Sequence, residues 1–137
     1  MPIKTNRWND QIHKNDGWRI LICRYRPRAL PKKEETWDTW YSTLGPSTKL
    51  HADAYGKNRK SPINWDEYTK RYFKEMRRKE AKDLIISLAR FVSSGKTVTL
   101  LCSSACTDRT HCHRTLLKQL IEQQMQVQQE DICQQAA

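Results

Sequence analysis

Long apolar runs are missing from this chain of 137 residues. Nothing approaches the roughly 20 consecutive apolar positions that cross a bilayer, and the N-terminus lacks the apolar centre of a secretory signal. The expectation is a cytoplasmic protein with no membrane partner. Acidic residues are in short supply too, 15 against 25 lysines and arginines, which leaves a net charge of +10. At this size that balance favours polyanionic partners: nucleic acid, nucleotides or an acidic protein surface. The five cysteines are not spaced as a secreted disulfide framework, since their number is odd and Cys102, Cys106 and Cys112 crowd into eleven residues. Two signatures that would give them a ready meaning are absent as well: the phosphatase loop of one cysteine, five residues and one arginine, and the two-residue spacing of zinc knuckles. There is no internal repeat.

What is present is one domain's worth of length, 1–137 as a single unit, with a glutamine-rich tail from 123 that continues the last helix, adds a small edge strand at Val127 or frays. Trp8, Trp18, Trp37, Trp40 and Trp65 all fall in the first half, which marks that half as rich in core. Residues 3–8 alternate weakly, as an edge strand would, and Asn15-Asp16-Gly17 is a turn signal. Trp18, Arg19, Ile20, Leu21, Ile22 and Cys23 form a near-continuous apolar run, the pattern of a strand covered on both faces. Residues 97–101 read the same way.

After Pro31 and Lys32, the i, i+3, i+4, i+7 spacing of Trp37, Trp40, Tyr41 and Leu44 predicts a helix that Gly45-Pro46 ends, its stripe packed in the core. Residues 47–62 have no sustained period and read as a surface loop. Asn64 caps a further helix with Trp65, Tyr68, Tyr72, Phe73 and Met76 on one face. Another starts near Ala81, striped by Leu84, Ile85, Leu88, Ala89 and Val92, with Gly95 just past its end. A last helix, striped by Leu116, Leu117, Leu120 and Ile121, follows the loop after 101. This order implies an α/β fold: a small parallel-centred or mixed sheet flanked by helices on both faces, joined by right-handed crossovers.

The chemistry concentrates in 97–120. Between its strand and its helix lie Cys102, Cys106, Asp108, Arg109, His111, Cys112, His113 and Arg114, at the carboxyl end of a strand, where open α/β sheets bind ligands and a helix N-terminus meets anions. A second cluster, Arg24, Arg26 and Arg28 around Pro27, leaves the other central strand. If the two strands are parallel neighbours, both clusters open into one cleft. Arg24, Arg26, Arg28, Arg109 and Arg114 are therefore the anion-binding candidates, because guanidiniums fork onto phosphate or carboxylate oxygens. Pairing with Asp38, Asp53 or Asp108 is the structural alternative.

Cys112, His113 and Cys102 are the catalytic candidates. A thiol at a helix N-terminus near cations becomes nucleophilic, which singles out Cys112 or Cys106, and histidine titrates near neutral pH. Zinc held by Cys102, Cys106, Cys112 and either His111 or His113 is an alternative, and a plain buried role for Cys102 is another. The main expectation carries no metal and no cofactor. His13 and His51 read as solvent histidines in loops, and Cys23 and Cys133 are left without a role. Lys57, Arg59 and Lys60, with Lys70, Arg71 and Lys74 on the outer face of the helix after Asn64, form the candidate nucleic-acid-binding surface.

Four separated motifs carry a resemblance. Gly17, Trp18, Arg19, Ile20, Leu21 and Ile22 form the first; Arg24, Pro27, Arg28, Leu30 and Lys32 the second; Leu44, Gly45, Pro46 and Ser47 the third; Leu101 and Cys102 with Cys112, His113 and Arg114 the last. In this order they resemble the domain-of-unknown-function family numbered 488. The resemblance spans nearly the whole chain and implies a small α/β domain, without naming a reaction. The chain departs from the family's pattern where the family has tryptophan before the proline and glycine after the second arginine; here stand Arg26 and Ala29. A cation thus replaces an aromatic wall, and the site is argued from its own chemistry.

The resulting reading is of a protein that holds a phosphate-bearing molecule, a nucleotide or a nucleic-acid end, between residues 24–28 and 102–114, with catalysis by the cysteines left open. The alternatives are a non-catalytic nucleic-acid-binding module using the basic helix, and a thiol redox or zinc-binding regulator.

Overall fold

Two strands with apolar side chains on both faces are stable only when sheet neighbours and covering layers take them out of water. In the computed structural model, which describes residues 2–57 and 61–136, they form the centre of a four-stranded parallel sheet. The strands are β1 (Ile3–Arg7), β2 (Trp18–Leu21), β3 (Thr39–Trp40) and β4 (Val98–Cys102), in the order β1-β4-β2-β3. Val98 lies in register with Ile3 on one side and Trp18 on the other. Every residue of β4 is buried, as its unbroken apolar run requires. One further bond, from the Ile22 amide to the Leu101 carbonyl at 3.0 Å, carries the β2–β4 pairing past the last formal pair. The chain therefore leaves both strands side by side, at Cys23 and at Ser103.

Four α-helices follow: α1 (Thr48–Ala54), α2 (Trp65–Glu75), α3 (Lys79–Ser93) and α4 (His113–Ala136). Ser47 Oγ accepts from the Leu50 amide and Asn64 Oδ1 from the Glu67 amide, so α1 and α2 begin on side-chain caps. All four helices bury residues in one cluster. Leu50, Tyr72, Ile85, Leu88, Val92, Leu117 and Ile121 meet Ile3, Ile20, Ile22, Val98 and Leu100 there. Each such large apolar side chain contributes about 1.5–3 kcal/mol by leaving water. The Tyr72 hydroxyl, buried with its ring, donates to the Leu44 carbonyl at 2.7 Å.

The opposite face of the sheet is covered by loops with short 3-10 turns. Leu21 and Leu101 pack there with Cys23, Cys102 and Cys112 under Trp8 and Trp37, whose rings meet edge to face at 6.3 Å. Beside them, buried Asp16 pairs with both Lys4 and Arg19 and accepts from the His13 amide at 3.0 Å. Burial alone would raise its pKa, but that amide, the Lys4 ammonium and the Arg19 guanidinium hold the carboxyl below its usual value. Gly17 follows at φ 64°, and a Cβ there would lie 2.1 Å from the Thr97 carbonyl oxygen, so only glycine lets the two central strands start together.

The α/β class holds, and three expectations need correction. Helices do not flank both faces of the sheet: all four pack on one, and loops close the other. The helix over 32–44 does not form: 3-10 turns at Lys32–Glu34 and Ser42–Leu44 flank β3 instead. The open edge of β2 offers hydrogen bonds to this stretch, and the Asp38 amide takes the Arg19 carbonyl at 2.8 Å while the Tyr41 amide takes that of Leu21 at 2.9 Å. Threonines and aromatic residues suit such an extended path. Trp40 consequently stands 41% exposed rather than in the core. The supposed loop 47–62 contains α1, which a single buried leucine and a serine cap suffice to dock. Of the three alternatives for the tail from 123, the chain takes the first and continues α4.

Two outcomes follow. Asp16→Asn leaves Arg19 and Lys4 without their counter-charge and should lower stability by about 3–5 kcal/mol at neutral pH. Because the folded pKa of Asp16 lies below the unfolded value near 3.9, its contribution is present above about pH 4 and lost below it. Thermal unfolding should therefore show an acid-side loss in the native chain that the variant lacks. Ala29 holds φ 58°, a left-handed conformation that costs a residue with a Cβ. Ala29→Gly should raise the denaturation midpoint by the equivalent of about 1 kcal/mol, whereas Ala29→Val should lower it.

Candidate functional site

Parallel pairing of β2 and β4 brings the two chemistry-bearing segments to one sheet edge. Residues 23–28 and 102–113 border a common cleft of about 830 Å³. At its floor the Cys102 sulfur lies 3.2 Å from that of Cys106 and 3.3 Å from that of Cys112, and all three sit within 4.8 Å of one another. Cys102 ends β4, Cys112 immediately precedes α4, and both are buried; Cys106 lies on the loop between, half-buried. The Cys102 thiol and Ser103 hydroxyl donate to the Cys106 sulfur. Hydrogen bonds from Cys102 and Cys112 hold the Cys106 pKa down to about 2, while the contact with Cys106 pushes Cys102 up, helped by Cys23 and burial, and contacts with Cys102 and Cys106 push Cys112 up.

His113, the first residue of α4, is buried under the Tyr72 ring at 5.6 Å. Its Nε2 lies 2.8 Å from the Ile22 carbonyl oxygen. A carbonyl can only accept, so this nitrogen carries the proton, and Nδ1 turns its lone pair toward the Cys102 sulfur at 3.8 Å. Burial pushes the imidazole below its usual pKa, which keeps it neutral.

The arginines divide sharply. Arg24 donates through Nε to the Pro46 carbonyl at 2.7 Å and braces the 45–46 turn. There Gly45 is needed, since a Cβ would fall 2.5 Å from the Arg24 amide nitrogen. Arg26 pairs with Glu35 at 2.8 Å and lies over the Trp37 ring, neither of which is an aspartate partner suggested by the sequence. Arg28 is exposed on the cleft rim and has no side-chain partner among the described residues. Two anion-binding candidates fall outside the cleft. Arg109 reaches back to Asn6 at 2.7 Å on the β1 edge. Arg114, 1% exposed, lies inside the first turn of α4, where Nη2 donates to the Cys106 carbonyl at 3.0 Å and Nε and Nη1 have no partner among the described residues.

Lys57 also borders the cleft, over the Tyr55 ring. Arg59 and Lys60 lie outside the described residues. Lys70 and Lys74 are exposed on α2, but Arg71 turns to Asp53 in an ion pair of 2.8 Å and so leaves the proposed basic face. His111 is exposed, paired with Asp108 at 3.2 Å and 5.1 Å from Trp65, away from the sulfurs.

The aromatic lining is what the sequence did not reveal. His51, expected in a solvent loop, is half-buried on α1 between Tyr25 and Tyr55 at 5.2 and 4.7 Å. Burial and nearby Lys57 lower its pKa. Trp65 and Tyr68, read as core, stack 13° from parallel and border the same cleft. A basic, aromatic-lined cavity with a thiol floor can hold a flat anionic molecule and present a sulfur to it.

Comparisons with known proteins agree on kinship and are silent on reaction. Residues 3–125 match the family model DUF488-N3a, described as the active DUF488-N3 subclade. The chain is 26% identical over 111 residues to the uncharacterized protein YeaO of Escherichia coli (strain K12), covering 81% of this chain and 90% of that protein. No solved structure matches.

In chelator-treated, reduced protein carrying Cys133→Ser, which removes the exposed tail thiol, iodoacetamide should modify Cys106 at least tenfold faster than Cys102 or Cys112. Mass spectrometry of timed digests reads the order.

Proposed function

The chain belongs to the DUF488 family, in its N3 subclade, and from that premise we propose that its cleft binds a small phosphate-bearing molecule with a flat ring, a nucleotide being the fitting class, above a reactive thiol floor. The observation that carries this reading is the lining itself. Among the described residues, Arg24, Arg26, Arg28 and Lys57 border the cleft against a single acid, Asp108, and four aromatic residues and three histidines share the wall with them. Arg24 and Arg26 are committed to Pro46 and Glu35, so among the described residues Arg28 and Lys57 are the cations available to a ligand. Both can swing toward a phosphate at little structural cost, because neither bridges parts of the fold. Tyr25, Tyr55 and Trp65 supply π-faces for a ring in the same cleft. A volume of about 830 Å³ suits a ligand of mononucleotide size, within the roughly 300–1,000 Å³ of small-molecule sites. Cys106 is the sulfur such a ligand would meet first, since Cys102, Cys112 and His113 lie buried beneath it.

A second reading, nucleic-acid binding along the basic helices, is supported by exposed Lys70, Lys74, Arg77, Arg78 and Lys79 and by the net charge of +10. It uses a face separate from the aromatic cleft.

Calorimetric titration separates the two. A 5′-nucleoside monophosphate should bind more tightly than inorganic phosphate or the parent nucleoside, and added salt should weaken it. Arg28→Ala with Lys57→Ala should cost at least tenfold in affinity, and Lys70→Ala with Lys74→Ala should leave it unchanged. No binding of mononucleotide at millimolar concentration, or binding of an oligonucleotide abolished by the second pair alone, would overturn the cleft reading.

A further inference from the structure

We infer that Cys102, Cys106, Cys112 and the Nδ1 atom of His113 form a four-ligand site for a zinc ion at the floor of the cleft. This goes beyond nucleotide binding and stands on a different set of residues from Arg28 and Lys57.

The donor set comes first. Zinc prefers thiolate and imidazole in a tetrahedron, with bonds near 2.3 Å to sulfur and 2.0–2.1 Å to nitrogen, so two ligand sulfurs lie about 3.8 Å apart and a sulfur and a nitrogen about 3.6 Å. Here the sulfur pairs stand at 3.2 and 3.3 Å, the third within 4.8 Å, and His113 Nδ1 lies 3.8 Å from Cys102. Shifts of about half an ångström open the two measured sulfur pairs to tetrahedral spacing, and His113 Nδ1, which neighbours Cys102 but stands outside the group of sulfurs mutually within 4.8 Å, takes the fourth corner by moving toward Cys106 and Cys112. No carboxylate shares this cluster, which makes it a poor site for magnesium or calcium.

The surroundings of His113 are the second argument. A histidine that binds metal through one nitrogen almost always donates its other N–H to a carbonyl or carboxylate, which fixes the tautomer and aims the lone pair. Nε2 of His113 does this with the Ile22 carbonyl at 2.8 Å, and the freed lone pair of Nδ1 faces sulfur. His111, the other histidine of the loop, is exposed and held by Asp108 and Trp65, so the fourth ligand is His113.

Charge is the third. Three thiolates around a divalent ion leave one negative charge, which in a buried site needs a cation nearby. Arg114 is buried in the first turn of α4, bonded to the carbonyl of Cys106, and two of its nitrogens have no partner among the described residues. Asp10 is within its electrostatic reach but is tied to Arg7. Loading exchanges protons for metal: each sulfur that still carries a proton gives it up as its sulfur–zinc bond forms, with no change of oxidation state. The ion would tie the end of β4, the loop and the start of α4 together at one point.

Metal-free, reduced protein in an oxygen-free titration with cobalt(II), the visible stand-in for zinc, tests this. One equivalent per chain should produce a sulfur-to-cobalt charge-transfer band with the intense visible bands of tetrahedral coordination, and zinc should bleach both. His113→Gln should weaken cobalt binding at least tenfold, Cys133→Ser should not change it, and Arg28→Ala with Lys57→Ala should leave the bands intact even where it removes nucleotide binding. A native chain that shows no charge-transfer band overturns the inference whatever the variants do. So does a folded Cys112→Ser protein that retains the full spectrum.

Discussion

The parallel pairing of β2 with β4 is the constraint on which everything else rests. These strands come from sequence positions about eighty residues apart, yet Leu21 and Leu101 are in register and the Ile22 amide still reaches the Leu101 carbonyl. Parallel strands must end at the same sheet edge, and there is no other way for Arg28 and Cys112 to border one cavity. Gly17 protects this arrangement at the opposite end, since no side chain fits between it and Thr97. Asp16 secures the same corner by holding Lys4 from β1 and Arg19 from β2.

Net charge is a poor guide to how the cations are used. Arg24 braces a turn, Arg26 faces Glu35, Arg71 faces Asp53, Arg109 reaches Asn6 and Arg114 is interior. Five of the arginines that composition would offer to an anion are thus structural. Among the described residues, the cations that border the cleft without a hydrogen-bonded partner for the side chain are Arg28 and Lys57, set among aromatic residues.

The two central strands were legible because burial on both faces leaves an unbroken apolar run that few other structures explain. The helices α2, α3 and α4 announced themselves by period and cap. The stretch 32–44 misled because its aromatic residues happen to fall at helical spacing, while the deciding force, the unpaired edge of β2, is tertiary and invisible in a local window. His51 was unreadable for a related reason: α1 is only seven residues long and has one fully buried leucine to mark its phase. The cleft at the strand ends was anticipated from topology, but the convergence of three sulfurs entered only through the zinc alternative, because cysteines separated by three and five residues meet only when a strand end, a loop and a helix start are folded against each other.

The central claim is that residues 24–28 and 102–113 face one cavity. A nitroxide attached at Arg28→Cys, in a background where Cys106 and Cys133 are serine, probes it through paramagnetic broadening of side-chain NMR signals. The account predicts strong broadening of the Trp65 indole and His111 ring signals, with the Gln129 amide at the far end of α4 left sharp. Sharp Trp65 and His111 signals beside a broadened Gln129 would contradict it.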